Sequence, residues 1–133
     1  MELWHTDLIG PIKPSSHGNK NYILTVIDDF SRMTFVRLLN EKGDVAEVIK
    51  RLVTIKENQT GIRLKRISSD SDGEFLGKTL ESWLEEKDIV HELNPPYTPM
   101  TPQCYGVAER CNQTIIETVR TMVADARLDL RFW

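Results

Sequence analysis

The six-residue run Tyr22-Ile23-Leu24-Thr25-Val26-Ile27 is dominated by β-branched side chains and stops at the paired acids Asp28-Asp29. So apolar a stretch, bounded so sharply, reads as a central strand, and whatever fold the chain adopts must build around it. On its amino-terminal side, Leu3 to Ile9 suits a strand that ends at Gly10-Pro11. Alternation there sets His5 and Asp7 on one face and Trp4, Thr6 and Leu8 on the other. On the far side, Phe30 to Met33 makes a turn and Thr34 to Leu39 returns as a third strand. Three strands joined by short loops predict an antiparallel meander.

A helix follows. Asp44 can cap it with Glu47 in the capping-box relation, and Val45, Val48, Ile49, Leu52 and Val53 share one face. Gly61 is its expected stop. Leu64 to Ser69 then forms a fourth strand with Asp70 just past its end. Leu76, Leu80, Trp83 and Leu84 mark a second helix, and Ile89 to Leu93 a fifth strand. From Asn94 to Cys104 a loop is expected, with Pro99 and Pro102 barring a regular helix. A last helix opens near Tyr105 to Val107 and turns Ile115, Val119, Met122 and Val123 to the core. This order predicts an α/β fold: a mixed five-stranded sheet, three strands antiparallel and then two parallel, flanked by helices.

The 133 residues suit one domain, with no internal repeat or linker. No apolar run nears the roughly 20 residues that cross a bilayer, and the first residues lack a signal-peptide pattern. The expectation is an intracellular protein, or a fragment of one, without a membrane partner. Cys104 and Cys111 then read as free thiols, and no Cys or His pair has zinc spacing. A net charge of −3 counts against a simple nucleic-acid-binding module. Two bound divalent cations carry +4 and would turn −3 into +1, which could supply the missing attraction to phosphate.

Three acids stand out by their surroundings: Asp7 in Trp4-His5-Thr6-Asp7, Asp70 in Ser68-Ser69-Asp70-Ser71-Asp72-Gly73-Glu74-Phe75, and Glu109 in Gly106-Val107-Ala108-Glu109-Arg110. Together they would offer hard oxygen ligands suited to Mg²⁺, and two such ions can clamp both oxygens of a phosphodiester displacement. Each acid also has a plainer reading. Asp7 could be a solvated strand-end carboxylate, and Glu109 a charge complementing a helix start. Ser68-x-Asp70-x-Asp72-Gly73 could begin a calcium loop, although Thr79 stands where that loop wants Glu. Asp28 and Asp29 read as turn formers with Arg32 paired to one of them. His5 reads as a satisfied core histidine, and Asn112 as either a DNA contact or a surface residue.

The motifs, taken in order, resemble the catalytic core of retroviral-type integrases, specifically the copia-type long-terminal-repeat retrotransposon branch. The resemblance rests on His5-Thr6-Asp7-Leu8-Ile9-Gly10-Pro11-Ile12, Ile27-Asp28-Asp29-Phe30-Ser31-Arg32, Ser69-Asp70 with Gly73-Glu74-Phe75, Tyr97-Thr98-Pro99, Gly106-Val107-Ala108-Glu109-Arg110 with Asn112, and Phe132-Trp133. It implies a ribonuclease H-like fold and two Mg²⁺ or Mn²⁺ ions held by Asp7, Asp70 and Glu109, which are also the catalytic residues. The activity implied is that of a polynucleotidyl transferase, which processes retroelement DNA 3′ ends and joins them to target DNA. Asn112, Gln113 and Tyr105 are the candidate DNA contacts. A homodimer or larger multimer is expected, acting in the nucleus after a cytoplasmic virus-like particle. On this reading residues 1–133 are the core domain, without the zinc-binding amino-terminal and basic carboxy-terminal regions of a full integrase. The chain departs from the branch at Cys111 and Gln113, where basic residues are usual, and at Tyr105, usually Asn. Those departures leave room for an inactive or domesticated interaction module.

Overall fold

The computed structural model describes residues 1–70, 77–94 and 102–133, with the backbone alone at 94 and 102–106. Five strands form one sheet: β1 (Leu3–Ile9), β2 (Tyr22–Asp28), β3 (Thr34–Leu39), β4 (Arg66–Asp70) and β5 (Val90–Asn94). Their order is β3-β2-β1-β4-β5. The first three strands pair antiparallel, and β1 with β4 and β4 with β5 pair parallel, as the element order predicts. The helices are α1 (Val45–Thr60), α2 (Lys78–Glu86) and α3 (Pro102–Asp125). None is long and apolar enough to cross a membrane, among the described residues.

The apolar run does become a strand buried along nearly its whole length, because both faces of β2 are covered. Leu24 and Val26 join Trp4 on one face, where Val45, Ile49, Leu52 and Val53 of α1 and Leu80 and Leu84 of α2 pack. The opposite face of β1 and β2 lies under α3. Three layers result, with the sheet in the middle.

Several boundaries differ from expectation. The capping box sits one turn earlier: Asp44 is the third residue of a short 3₁₀ turn capped by Glu41, whose backbone N–H donates to Asp44 Oδ2 at 3.2 Å. Asp44 makes no side-chain bond at the α1 start itself. Gly61 ends α1 in the left-handed region at φ 68°, as its position suggests. Asp70 is the last residue of β4 rather than the one after it. The final helix opens at Pro102, because proline is tolerated at a first helical position, where no N–H is needed. Met122 is 65% exposed, whereas Val123 is buried as expected. Leu76, Asp72 and Glu74, and half of the calcium-loop segment 68–79, lie outside the described residues.

Candidate active site

Asp7 lies on the central strand β1, where the sheet changes from antiparallel to parallel pairing. Across to β2 its partner is Thr25. Toward β4 the parallel ladder runs to His5 opposite Ser68, and Thr6 Oγ1 ties the strands again by donating to the Ser68 carbonyl at 3.1 Å. Two residues beyond His5 and Ser68, on the same face, come Asp7 and Asp70. Glu109 stands about two turns into α3, and Asn112 one turn further.

That helix is pinned over Asp7 by its own side chains. Asn112 is 6% exposed. Its Nδ2 donates to Asp7 Oδ2, and its Oδ1 accepts from Thr25 Oγ1 at 2.8 Å. The second Asp7 oxygen, Oδ1, accepts from the Leu8 backbone N–H at 2.9 Å. Asn112 thus has an internal role, bridging Thr25 of β2 and Asp7 of β1, while it also lines the open groove described below. Beside it, Cys111 is a free, half-buried thiol, with Sγ 4.0 Å from Thr34 Oγ1.

The Asp7 carboxyl is pushed up to about 6, first by burial and then by the charge of Asp70, with Glu109 adding a smaller push. The bonds from Leu8 and Asn112 oppose the shift without cancelling it. Three acids from three elements therefore share one field. Asp70 and Glu109 are both exposed. Among the described residues, no three His, Cys, Asp or Glu side chains stand close enough together to hold a metal ion as they lie. The three carboxylates themselves suit a hard divalent cation, since all their donor atoms are oxygen and Asp70 and Glu109 both place negative charge at Asp7.

An open groove of about 490 Å³ runs along this face, lined by Asp7, Gly10, Glu109, Asn112, Gln113 and Arg120 among others. Gly10 has to be glycine: its φ is 139°, and an added Cβ would meet Tyr22 Cδ1 at 2.6 Å and the Asn21 carbonyl at 2.7 Å. Gln113 lines the groove. The Tyr105 side chain lies outside the described residues. Sequence reasoning missed Arg120 and Thr25. Helical spacing on from Glu109 through residues 113, 116 and 117 leads to Arg120, and Thr25 is the hydroxyl in the middle of an apolar strand.

The plainer expectations around the site hold. His5 is 3% exposed and its Nε2 lies 3.1 Å from Asp29 Oδ1, while Arg32 Nη1 is 3.6 Å from the same oxygen. Burial acts to raise the Asp28 carboxyl, but the Ser31 hydroxyl and N–H, bonding to Oδ2 at 2.6 and 2.9 Å, hold it below the usual range. The Trp4 indole N–H also favours that carboxylate, although neither it nor Asp28 Oδ1 has a hydrogen-bond partner among the described residues.

A mixed sheet in this strand order, with acids on its central strand, on the adjoining parallel strand and on the helix above them, defines the ribonuclease H-like class. Two solved structures share the fold. The catalytic core domain of BIV integrase matches with a TM-score of 0.66 at 19% identity, over 93% of this chain and 72% of that one. The HTLV-2 integrase catalytic core, solved in complex with magnesium in a trimeric form, matches at 0.64 and 18%, with the same coverage. Residues 1–99 match the family described as the integrase core domain, and the chain belongs to that family.

Its relatives are retrotransposon polyproteins, in agreement with the copia-type resemblance. The chain is 39% identical over 133 residues to the retrovirus-related Pol polyprotein of transposon TNT 1-94 from Nicotiana tabacum, covering 100% of this chain and 10% of that protein. It is 30% identical over 132 residues to that of transposon RE1 from Arabidopsis thaliana, covering 99% and 8%. It is 26% identical over 136 residues to the Ty1-PR2 Gag-Pol polyprotein of Saccharomyces cerevisiae, covering 100% and 8%. The chain thus spans about a tenth or less of the length of these relatives.

Proposed function

We propose that this domain is the catalytic core of a divalent-metal-dependent polynucleotidyl transferase that processes retroelement DNA 3′ ends and joins them to target DNA. Asp7, Asp70 and Glu109 would hold two Mg²⁺ or Mn²⁺ ions. When bound, such ions lower the pKa of an attacking water or hydroxyl and offset the charge that develops on the phosphate. The observation that carries the reading is the Asp7 carboxyl, raised to about 6 by burial and by the charges of Asp70 and Glu109. A carboxyl raised by burial and by the charge of neighbouring acids marks a candidate functional centre. The HTLV-2 core solved with magnesium supports the same choice of ion.

The chain's own residues divide the work. Leu8 and Asn112 each hold one Asp7 oxygen, which fixes the plane of the carboxylate. Arg120 and Gln113 stand along the groove where a DNA backbone would run; Arg120 meets phosphate and Gln113 meets phosphate or sugar. The partners are retroelement ends and target DNA, engaged by a dimer or larger multimer in the nucleus, with a virus-like particle in the cytoplasm beforehand.

Titration with Mn²⁺, followed by thermal unfolding, tests the metal site: the parent gains stability, and Asp7→Asn or Asp70→Asn loses that gain. A branched DNA substrate then tests the chemistry, with Mg²⁺ or Mn²⁺ supporting strand transfer and Ca²⁺ stabilising without turnover. An inactive interaction module is the second reading, favoured by the uncharged Gln113 in the groove. Equal Mn²⁺ responses in parent and variants would establish it.

A further inference from the structure

We infer that Thr25 is a positioning residue for Asp7, acting through Asn112 as the origin of a buried hydrogen-bonded relay from β2 through α3 to β1. The inference rests on Asp7 being a ligand of the proposed metal site. Thr25 is 0% exposed, in the middle of the apolar strand β2, directly opposite Asp7. A hydroxyl there is costly unless it is bonded. It has one proton to give, and the shorter contact takes it: Asn112 Oδ1 lies at 2.8 Å, the Asp7 carbonyl at 3.3 Å.

That donation sets the amide. With Oδ1 facing Thr25, Asn112 Nδ2 faces Asp7 Oδ2 and donates to it. The reversed amide would set its oxygen against a carboxylate, acceptor to acceptor. Without the hydroxyl, Asn112 Oδ1 becomes a buried acceptor with no donor. Its recourse is to rotate toward the groove that Asn112 lines, which takes the N–H off Asp7. Asp7 Oδ1 is held separately by the Leu8 N–H, so the loss frees one oxygen only and lets the carboxylate plane turn. Partners one step behind a ligand act in this way, and removing them weakens metal binding about 10- to 100-fold.

Thr25→Val keeps the shape and removes the hydroxyl; Thr25→Ser keeps the hydroxyl. Two readouts apply to each: protection of the Asn112 side-chain amide signals by NMR in the metal-free protein, and Mn²⁺ affinity by calorimetry. Thr25→Val is expected to lose amide protection and to bind Mn²⁺ about 10- to 100-fold more weakly, and Thr25→Ser to restore both. In an Asn112→Ala background Thr25→Val should add nothing. A protected amide with parental affinity in Thr25→Val overturns the relay. So does a Thr25→Val loss that persists unchanged in Asn112→Ala. Should Thr25→Val fail to fold, Thr25→Ala is compared with Thr25→Ser by the same measures. If the parent itself binds no Mn²⁺, the metal reading fails, and the amide signals alone decide whether Thr25 sets Asn112.

Discussion

Asn112 of α3 donates to Oδ2 of Asp7 on β1, a bond between residues 105 positions apart in the chain. It joins the last helix to the first strand at the point where the sheet changes its pairing sense. Asn112→Ala removes this bond and also the acceptor for Thr25 Oγ1. The expected outcome is a loss of about 1–3 kcal/mol in chemical unfolding. Weaker Mn²⁺ binding should accompany it. Asn112→Asp should be worse for the metal-free protein, because it sets another carboxylate against Asp7.

The raised Asp7 carboxyl makes stability depend on pH, with a definite sign. Folding moves this group from the ordinary 3.8 up to about 6, so the folded chain holds the proton more tightly than the unfolded one. Its stabilising contribution is complete below about pH 4 and is lost as pH rises through 6. A rise from 3.8 to about 6 corresponds to about 3 kcal/mol before any discount. Because the carboxylate is only partly buried, we expect roughly 1–2 kcal/mol. With chelator present, the stability difference between Asp7→Asn and the parent should shift toward the variant by that amount between pH 4 and 7. A difference that stays flat across the range contradicts the shift.

Neutralising either neighbour should lower the Asp7 titration midpoint, read from its side-chain carbon by NMR. Asp70 exerts the larger push, so Asp70→Asn should lower the midpoint more than Glu109→Gln. Both substitutions should stabilise the metal-free protein at neutral pH and weaken its response to Mn²⁺. Opposite signs in one variant distinguish a ligand from a residue of ordinary packing.

Gly10→Ala tests the floor of the groove. The new methyl would collide with the Tyr22 ring and the Asn21 carbonyl, at a backbone φ of 139° that side chains disfavour. A cost of about 2–4 kcal/mol is expected in thermal or chemical unfolding. Gly43→Ala is the control, since an added Cβ there meets nothing within 4 Å.

What could be read in advance follows from how local each signal is. The strands Leu3–Ile9 and Thr34–Leu39 appear at their expected limits because turn residues and alternation mark them from within. Gly61 stops α1 because the need for a left-handed residue is local too. Pro102 misled for a related reason: proline both breaks helices and begins them, and only the chain around it decides which. Met122 continues the helical stripe, yet of the two only Val123 is buried and Met122 is left in solvent. The three acids stand out by their neighbours in sequence, and the fold brings them near enough for Asp70 and Glu109 to act on Asp7. The Thr25–Asn112 bond was not, because it spans 87 positions and depends on where α3 comes to rest.

The placement of the acids also has a mechanical meaning. Asp7 and Asp70 travel with the sheet, whereas Glu109 travels with a helix laid across it. Lifting that helix parts the constellation without unzipping a single strand. The proposed centre thus spans two layers, and its geometry depends on how closely α3 lies on the sheet.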